Sequence, residues 1–101
     1  MVKHIICFKL KDFAEGNPKS ENARLIKEKL LALKDKIKEI KFIEVGINNP
    51  KASADNCDMV LISEFESFDD LDIYQKHPEH VKTADFIKKI RDTRTCVDFE
   101  T

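Results

Sequence analysis

The run Val2-Lys3-His4-Ile5-Ile6-Cys7-Phe8-Lys9-Leu10 sets the centre of the architecture. Val2, His4, Ile6, Phe8 and Leu10 fall on one face, and Ile5 and Cys7 on the other, the period-two pattern of a strand. Its middle, Ile5-Ile6-Cys7-Phe8, is apolar on both faces, so the strand is covered from both sides and belongs inside a sheet. A second run has the same character: Cys57 to Phe65, with Met59-Val60-Leu61-Ile62 at its heart. Two further runs read as strands, the first of them with one face more apolar than the other, as at a sheet edge. Lys41 to Asn48 carries Ile43, Val45 and Ile47 on one face, and Arg94 to Glu100 sets Val97 and Phe99 opposite Cys96 and Asp98.

Helical patterns fill the spaces between these strands. Gly16, Asn17 and Pro18 make a turn, with Asn17 or Ser20 as the expected cap and Pro18 near the helix start. From Pro18 to about Lys38, Leu25, Ile26, Leu30, Leu33 and Ile37 recur at three- and four-residue spacing, an apolar stripe that continues to Ile40. Ser67 opens a second helical region, where Asp69 and Asp70 favour the positive helix end. Phe68, Leu71 and Tyr74 form its stripe, and Pro78 disfavours helical geometry at His77. A fresh helix starts at Pro78, with Val81, Ala84, Phe86, Ile87 and Ile90 expected on its buried side.

The order is β-α-β-β-α-β, the ferredoxin-like split βαβ motif: an α+β subunit with an antiparallel sheet. In that motif the first and third strands are central, which agrees with their doubly apolar middles. Helices cover only one face of such a sheet. The other face would stay wet in a monomer, and a large exposed apolar patch marks an interface. A second copy of the same sheet is the simplest cover, so we expect a homodimer through the sheet face, a dimeric α/β barrel.

The totals narrow the function classes. The 101 residues fit one domain, residues 1–101. With 18 basic against 19 acidic residues, there is no basic surplus to neutralise phosphates, so a nucleic-acid partner is not expected. No apolar run approaches the length of a membrane span, and the N-terminus lacks a signal-peptide layout. Cys7, Cys57 and Cys96 are odd in number and form no CxxC, which favours a reducing cytoplasm. Cys7 and Cys96 read as buried small hydrophobes. Gly16 and Gly46 are the only glycines, so neither GxGxxG nor a P-loop is present and no cofactor is implied.

Groups able to move a proton near neutral pH concentrate in Tyr74-Gln75-Lys76-His77-Pro78-Glu79-His80-Val81, which holds the single Tyr and two of the three His. His80 falls in the first turn of a helix, where the positive end disfavours imidazolium and keeps the ring able to accept a proton. Tyr74 is placed to assist. If His4 points toward the helices, all three border one cavity. A solvent-reaching cavity of roughly 300 Å³ or more would point to a ligand or a reaction, and a filled interior to a packed helix junction. His77, Glu79 and His80 offer metal donors but depart from the HExxH pattern, so no metal site is assigned to them.

Three segments together resemble the stress-responsive A/B barrel domain family, also called Dabb: Val2 to Lys11; Ser63-Glu64-Phe65-Glu66-Ser67 followed by Tyr74-Gln75-Lys76-His77-Pro78-Glu79-His80; and Val97-Asp98-Phe99-Glu100. The resemblance covers essentially the whole chain. It implies a dimeric barrel of ferredoxin-like subunits but no single activity. Some plant members are linked to stress responses, and others are cofactor-independent polyketide cyclases. In the cyclases the match implies His80 as general base, Tyr74 assisting it, and His4 in the pocket. The expectation is a small dimer that binds a hydrophobic molecule between sheet and helices, with a cyclase-like enzyme as the alternative.

Overall fold

The computed structural model describes residues 1–101. Strand β1 is Val2–Leu10 and strictly alternates between buried and half-buried residues. It lies between β5 (Met59–Phe65) and β6 (Arg91–Glu100), and β4 (Phe42–Ile47) pairs with β5 on the far side. All pairings are antiparallel, and the sheet runs β4-β5-β1-β6. The two doubly apolar strands are therefore the central ones, and the fold is the ferredoxin-like α+β arrangement.

The even-numbered residues of β1 face the helices. Val2, His4, Ile6, Phe8 and Leu10 are all buried there, beside Met59, Leu61, Ser63 and Phe65 of β5. Helix α1 (Lys19–Lys36) contributes Ala23, Ile26, Leu30 and Leu33 to this core. It ends two residues before the expected Lys38, yet Ile37 and Ile40 beyond its end are each 1% exposed. The apolar stripe thus outlasts the helix because these side chains are buried whether or not the backbone stays helical. The expected side-chain cap is also absent. Pro18 occupies the N-cap position, and neither Asn17 nor Ser20 serves.

A two-strand hairpin, β2 (Phe13–Ala14) and β3 (Asn17–Pro18), precedes α1. Its turn places Glu15 and Gly16 at φ of 50° and 80°, the left-handed region in which glycine costs least. The buried Asn22 side chain donates to the carbonyls of Ala14 and Asn17, at 3.0 and 3.4 Å, and so ties the hairpin to the helix.

The opposite face of the sheet carries no helix. On it lie Ile5 and Cys7 of β1, Val60 and Ile62 of β5, Phe42 of β4, and Val97 and Phe99 of β6. Phe42, Val97 and Phe99 are each 40% exposed or more. No helix is long and apolar enough to cross a membrane.

Candidate functional site

The second helical region is two helices, α2 (Phe68–Lys76) and α3 (Pro78–Ile90). Ser67 caps α2 by accepting from the Asp70 N–H at 3.1 Å. Pro78 is the first residue of α3, and the backbone at His77 is extended, with φ −62° and ψ 134°. His77 is the N-cap, its Nδ1 accepting from the Glu79 N–H at 3.1 Å. This imidazole is committed to ending one helix and starting the next.

His80, one turn further on, is arranged differently. Its Nδ1 lies 2.9 Å from the carbonyl of Gln75, the last turn of α2. A carbonyl only accepts, so Nδ1 carries the proton and donates, leaving the Nε2 lone pair free in the neutral ring. Burial lowers the His80 pKa, and the nearby positive charge of His4, Arg94 and His77 adds to it, while the bond to Gln75 opposes the shift. The sequence expectation of a neutral, proton-accepting His80 had rested on the helix end; burial is the larger cause.

Tyr74 lies beneath His80, with ring centroids 4.4 Å apart. It also packs on Phe65 at 4.9 Å and on His4 at 6.3 Å. Tyr74 is fully buried and its hydroxyl has no hydrogen-bond partner. Burial pushes the phenol pKa well above its ordinary value, so the group is a donor and not a base.

A cleft of about 910 Å³ opens beside these rings, well above the roughly 300 Å³ at which ligand pockets begin. Ile6, Phe8 and Leu61 line its sheet side, and Tyr74, His80, Ala84 and Ile87 its helix side. Lys88, Arg91 and Arg94 border it, with Asp85 and Asp92 among them. Val81 explains its own departure from expectation here. It lines the cleft and is 44% exposed, while Thr83 takes the buried position. Phe68, at the start of the α2 stripe, is also exposed, whereas Leu71 and Tyr74 are buried.

The structure brings Tyr74 and His80 to the cleft but not His4. His4 does point toward the helices, yet it is 1% exposed, packs against Tyr74 and does not line the cleft. Its Nδ1 hydrogen-bonds the carboxylate of Asp98, the residue opposite it on β6. Cys96 Sγ lies 3.6 Å from the same Nδ1 and 3.6 Å from Asp98 Oδ1. Cys96 is therefore not the buried hydrophobe expected: it sits exposed on an edge strand, with its sulfur beside two polar groups. Burial, then Asp98, raises its thiol pKa, and Arg94 partly offsets this.

Sequence reasoning missed Asp98, Cys96, Phe65 and Arg94 as parts of this region. The available signal was register. Placing β6 beside β1 with Val2 opposite Glu100 sets Asp98 against His4 and Cys96 against Ile6, all on the helix face.

Comparison with known proteins follows the same outline. A family model described as "Stress responsive A/B Barrel Domain" matches residues 2–101. Among curated proteins no relative matches the sequence. A dimeric protein of unknown function with a ferredoxin-like fold from Bacteroides fragilis is 38% identical, with a TM-score of 0.82 over 99% of this chain and 95% of its own. A dimeric ferredoxin-like protein of unknown function from Thermobifida fusca is 25% identical, with a TM-score of 0.83 over 99% and 90%. A hydroxynitrile lyase from Passiflora edulis shares the fold at 18% identity, with a TM-score of 0.80 over 97% and 90%.

Proposed function

The chain belongs to the stress responsive A/B barrel domain family, and on that premise we propose that it binds a small, largely apolar molecule in the cleft between α3 and the sheet. The observation that carries this reading is Tyr74, which lines the cleft with its ring packed on His80 and whose buried hydroxyl has no hydrogen-bond partner. A buried polar group without a partner costs about 1–3 kcal/mol, and a ligand oxygen would relieve that cost. Ile6, Phe8, Leu61 and Ile87 supply apolar contact. The guanidinium groups of Arg91 and Arg94 at the border favour a ligand with an acidic group.

The protein acts as a homodimer through the helix-free sheet face. The exposed Phe42, Val97 and Phe99 support this, as do the dimeric relatives. Sedimentation at micromolar concentration tests it: a stable monomer would overturn the assignment.

A second reading, cofactor-independent catalysis of the cyclase type, draws on the tautomer of His80. With Nδ1 donating to Gln75, Nε2 is the atom that would take a proton from a carbon acid or phenol. Tyr74, held protonated by burial, would donate to the substrate oxygen that gains charge. His4 would support Tyr74 by packing rather than by touching the substrate. The likeness to a hydroxynitrile lyase is one of fold and bears on this by analogy alone.

The test is a thermal-shift and turnover screen of small aromatic and aliphatic carboxylic acids on wild type and His80→Ala. Ligand binding by wild type, raising the unfolding temperature, supports the binding reading. Turnover lost in His80→Ala with binding retained supports the base. Equal binding and equal turnover in both proteins would sink the role given to His80.

A further inference from the structure

The cluster of His4, Cys96 and Asp98 lies beside the cleft but takes no part in the proposed binding. Nδ1, Sγ and a carboxylate oxygen of these residues all lie within 4.8 Å of one another. Two chemistries use such a trio. A nucleophilic triad needs the imidazole to bridge, with one ring nitrogen on the thiol and the other on the carboxylate. Here the same Nδ1 meets both Cys96 Sγ and Asp98 Oδ1. The three donors converge on a point instead of running in a chain. That is the layout of ligands around an ion.

We propose that His4, Cys96 and Asp98 form a binding site for a divalent transition-metal cation of the zinc class. The metric supports it. With Zn–N, Zn–S and Zn–O bonds of about 2.0–2.3 Å in a tetrahedron, the N···S and S···O edges are each about 3.6 Å. Cys96 Sγ stands 3.6 Å from His4 Nδ1 and 3.6 Å from Asp98 Oδ1. The third edge, His4 to Asp98, is a direct hydrogen bond and has to widen as the ion takes the place of the shared proton. Asp98 has the freedom to do so, since its side chain is 32% exposed on an edge strand. His4 is held in place by its burial against Phe65 and Tyr74. The donor set, one imidazole, one thiolate and one carboxylate, is borderline-soft and suits zinc or cobalt over magnesium or calcium. Three protein ligands leave a fourth position for water or a small molecule.

The site adjoins the one built on His80 through Tyr74 but uses other donor atoms, and its test reads a different signal. Chelator-treated protein under reducing conditions is titrated with Co²⁺ and then Zn²⁺. We expect one equivalent of Co²⁺ to give tetrahedral ligand-field bands and a thiolate-to-cobalt charge-transfer band, both erased by Zn²⁺. Cys96→Ser removes the charge-transfer band, and Cys96→Ser and Asp98→Asn each weaken binding by about 10- to 100-fold or more. His77→Ala leaves the spectrum unchanged. Both tested positions lie on the edge strand β6, and far-UV circular dichroism verifies that each variant is folded. The absence of a thiolate band in wild type, or equal Co²⁺ affinity in wild type and folded Cys96→Ser, would overturn the proposal. The carboxylic-acid screen on His80→Ala is read by unfolding temperature and turnover, so either proposal can fail while the other stands.

Discussion

His4 and His80 both pack against Tyr74, yet they are held by different kinds of structure. His80 is set by local sequence. The break at Pro78 ends α2, starts α3 and brings the Gln75 carbonyl within 2.9 Å of Nδ1. His4 is set by tertiary pairing, its partners Cys96 and Asp98 coming from a strand more than ninety residues away. The local device gives one fixed hydrogen bond and a free lone pair, which suits proton transfer. The tertiary device gathers several side chains around one nitrogen, which suits holding an ion. Nearly the same aromatic surroundings thus leave the two imidazoles suited to different chemistries, according to what lies on Nδ1.

The largest expected effect tests whether the two histidines share a platform. Phe65 is fully buried and touches both Tyr74 and His4. Phe65→Ala should cost about 3–5 kcal/mol in urea unfolding and disturb the NMR resonances of both rings. A loss below about 1 kcal/mol would mean the platform is not shared. Next, Asp98→Ala removes the acceptor of a buried imidazole and should cost about 1–3 kcal/mol. The His80 ring resonances should stay in place, and their displacement would break the distinction between local and tertiary support. Tyr74→Phe deletes a buried hydroxyl that has no partner. Its stability should match or exceed wild type by up to about 1 kcal/mol, while binding in the cleft weakens. A clear loss of stability would show that the hydroxyl is already satisfied.

The smallest effect is a pH dependence that belongs to His80. Burial holds its pKa below the ordinary imidazole value of 6.5. As pH falls through that value, the unfolded chain takes up a proton that the folded His80 still refuses. The unfolded state then binds more protons, so stability declines on acidification and is fully present only above the unfolded value. Urea midpoints between pH 7 and 5 should show this slope, and His80→Gln should flatten it. An NMR titration placing His80 above the ordinary value would reverse the sign and remove the argument for a neutral base.

Much of the architecture was legible because burial on two faces leaves a plain mark. Ile5-Ile6-Cys7-Phe8 and Met59-Val60-Leu61-Ile62 identify the central strands from composition alone, and the structure puts them side by side. The helix break was legible through Pro78, and with it the distinction between His77 and His80. What escaped were facts fixed by pairing. Nothing in Arg94 to Glu100 announces that Asp98 will face His4, because register depends on how two distant strands meet. The hairpin at Phe13 to Pro18 escaped because two-residue strands carry too little pattern, and Asn22 reads as surface until its carbonyl partners are in place. Val81 misled because a cleft exposes an apolar residue that periodicity assigns to the core.

The hydrogen bond between His4 and Asp98 spans 94 residues of chain. Closing so long a loop carries an entropic cost that must be met before the contact returns anything, and pairings of this separation slow folding. The three helices and the β4–β5 pair are assembled from nearer neighbours. The β1–β6 seam is therefore a natural last step, and with it the His4 corner. A side-chain probe on His4 would report completion of the whole sheet, while one on His80 would report a junction that can form much earlier. Refolding followed at both rings should show His80 reaching its native environment first.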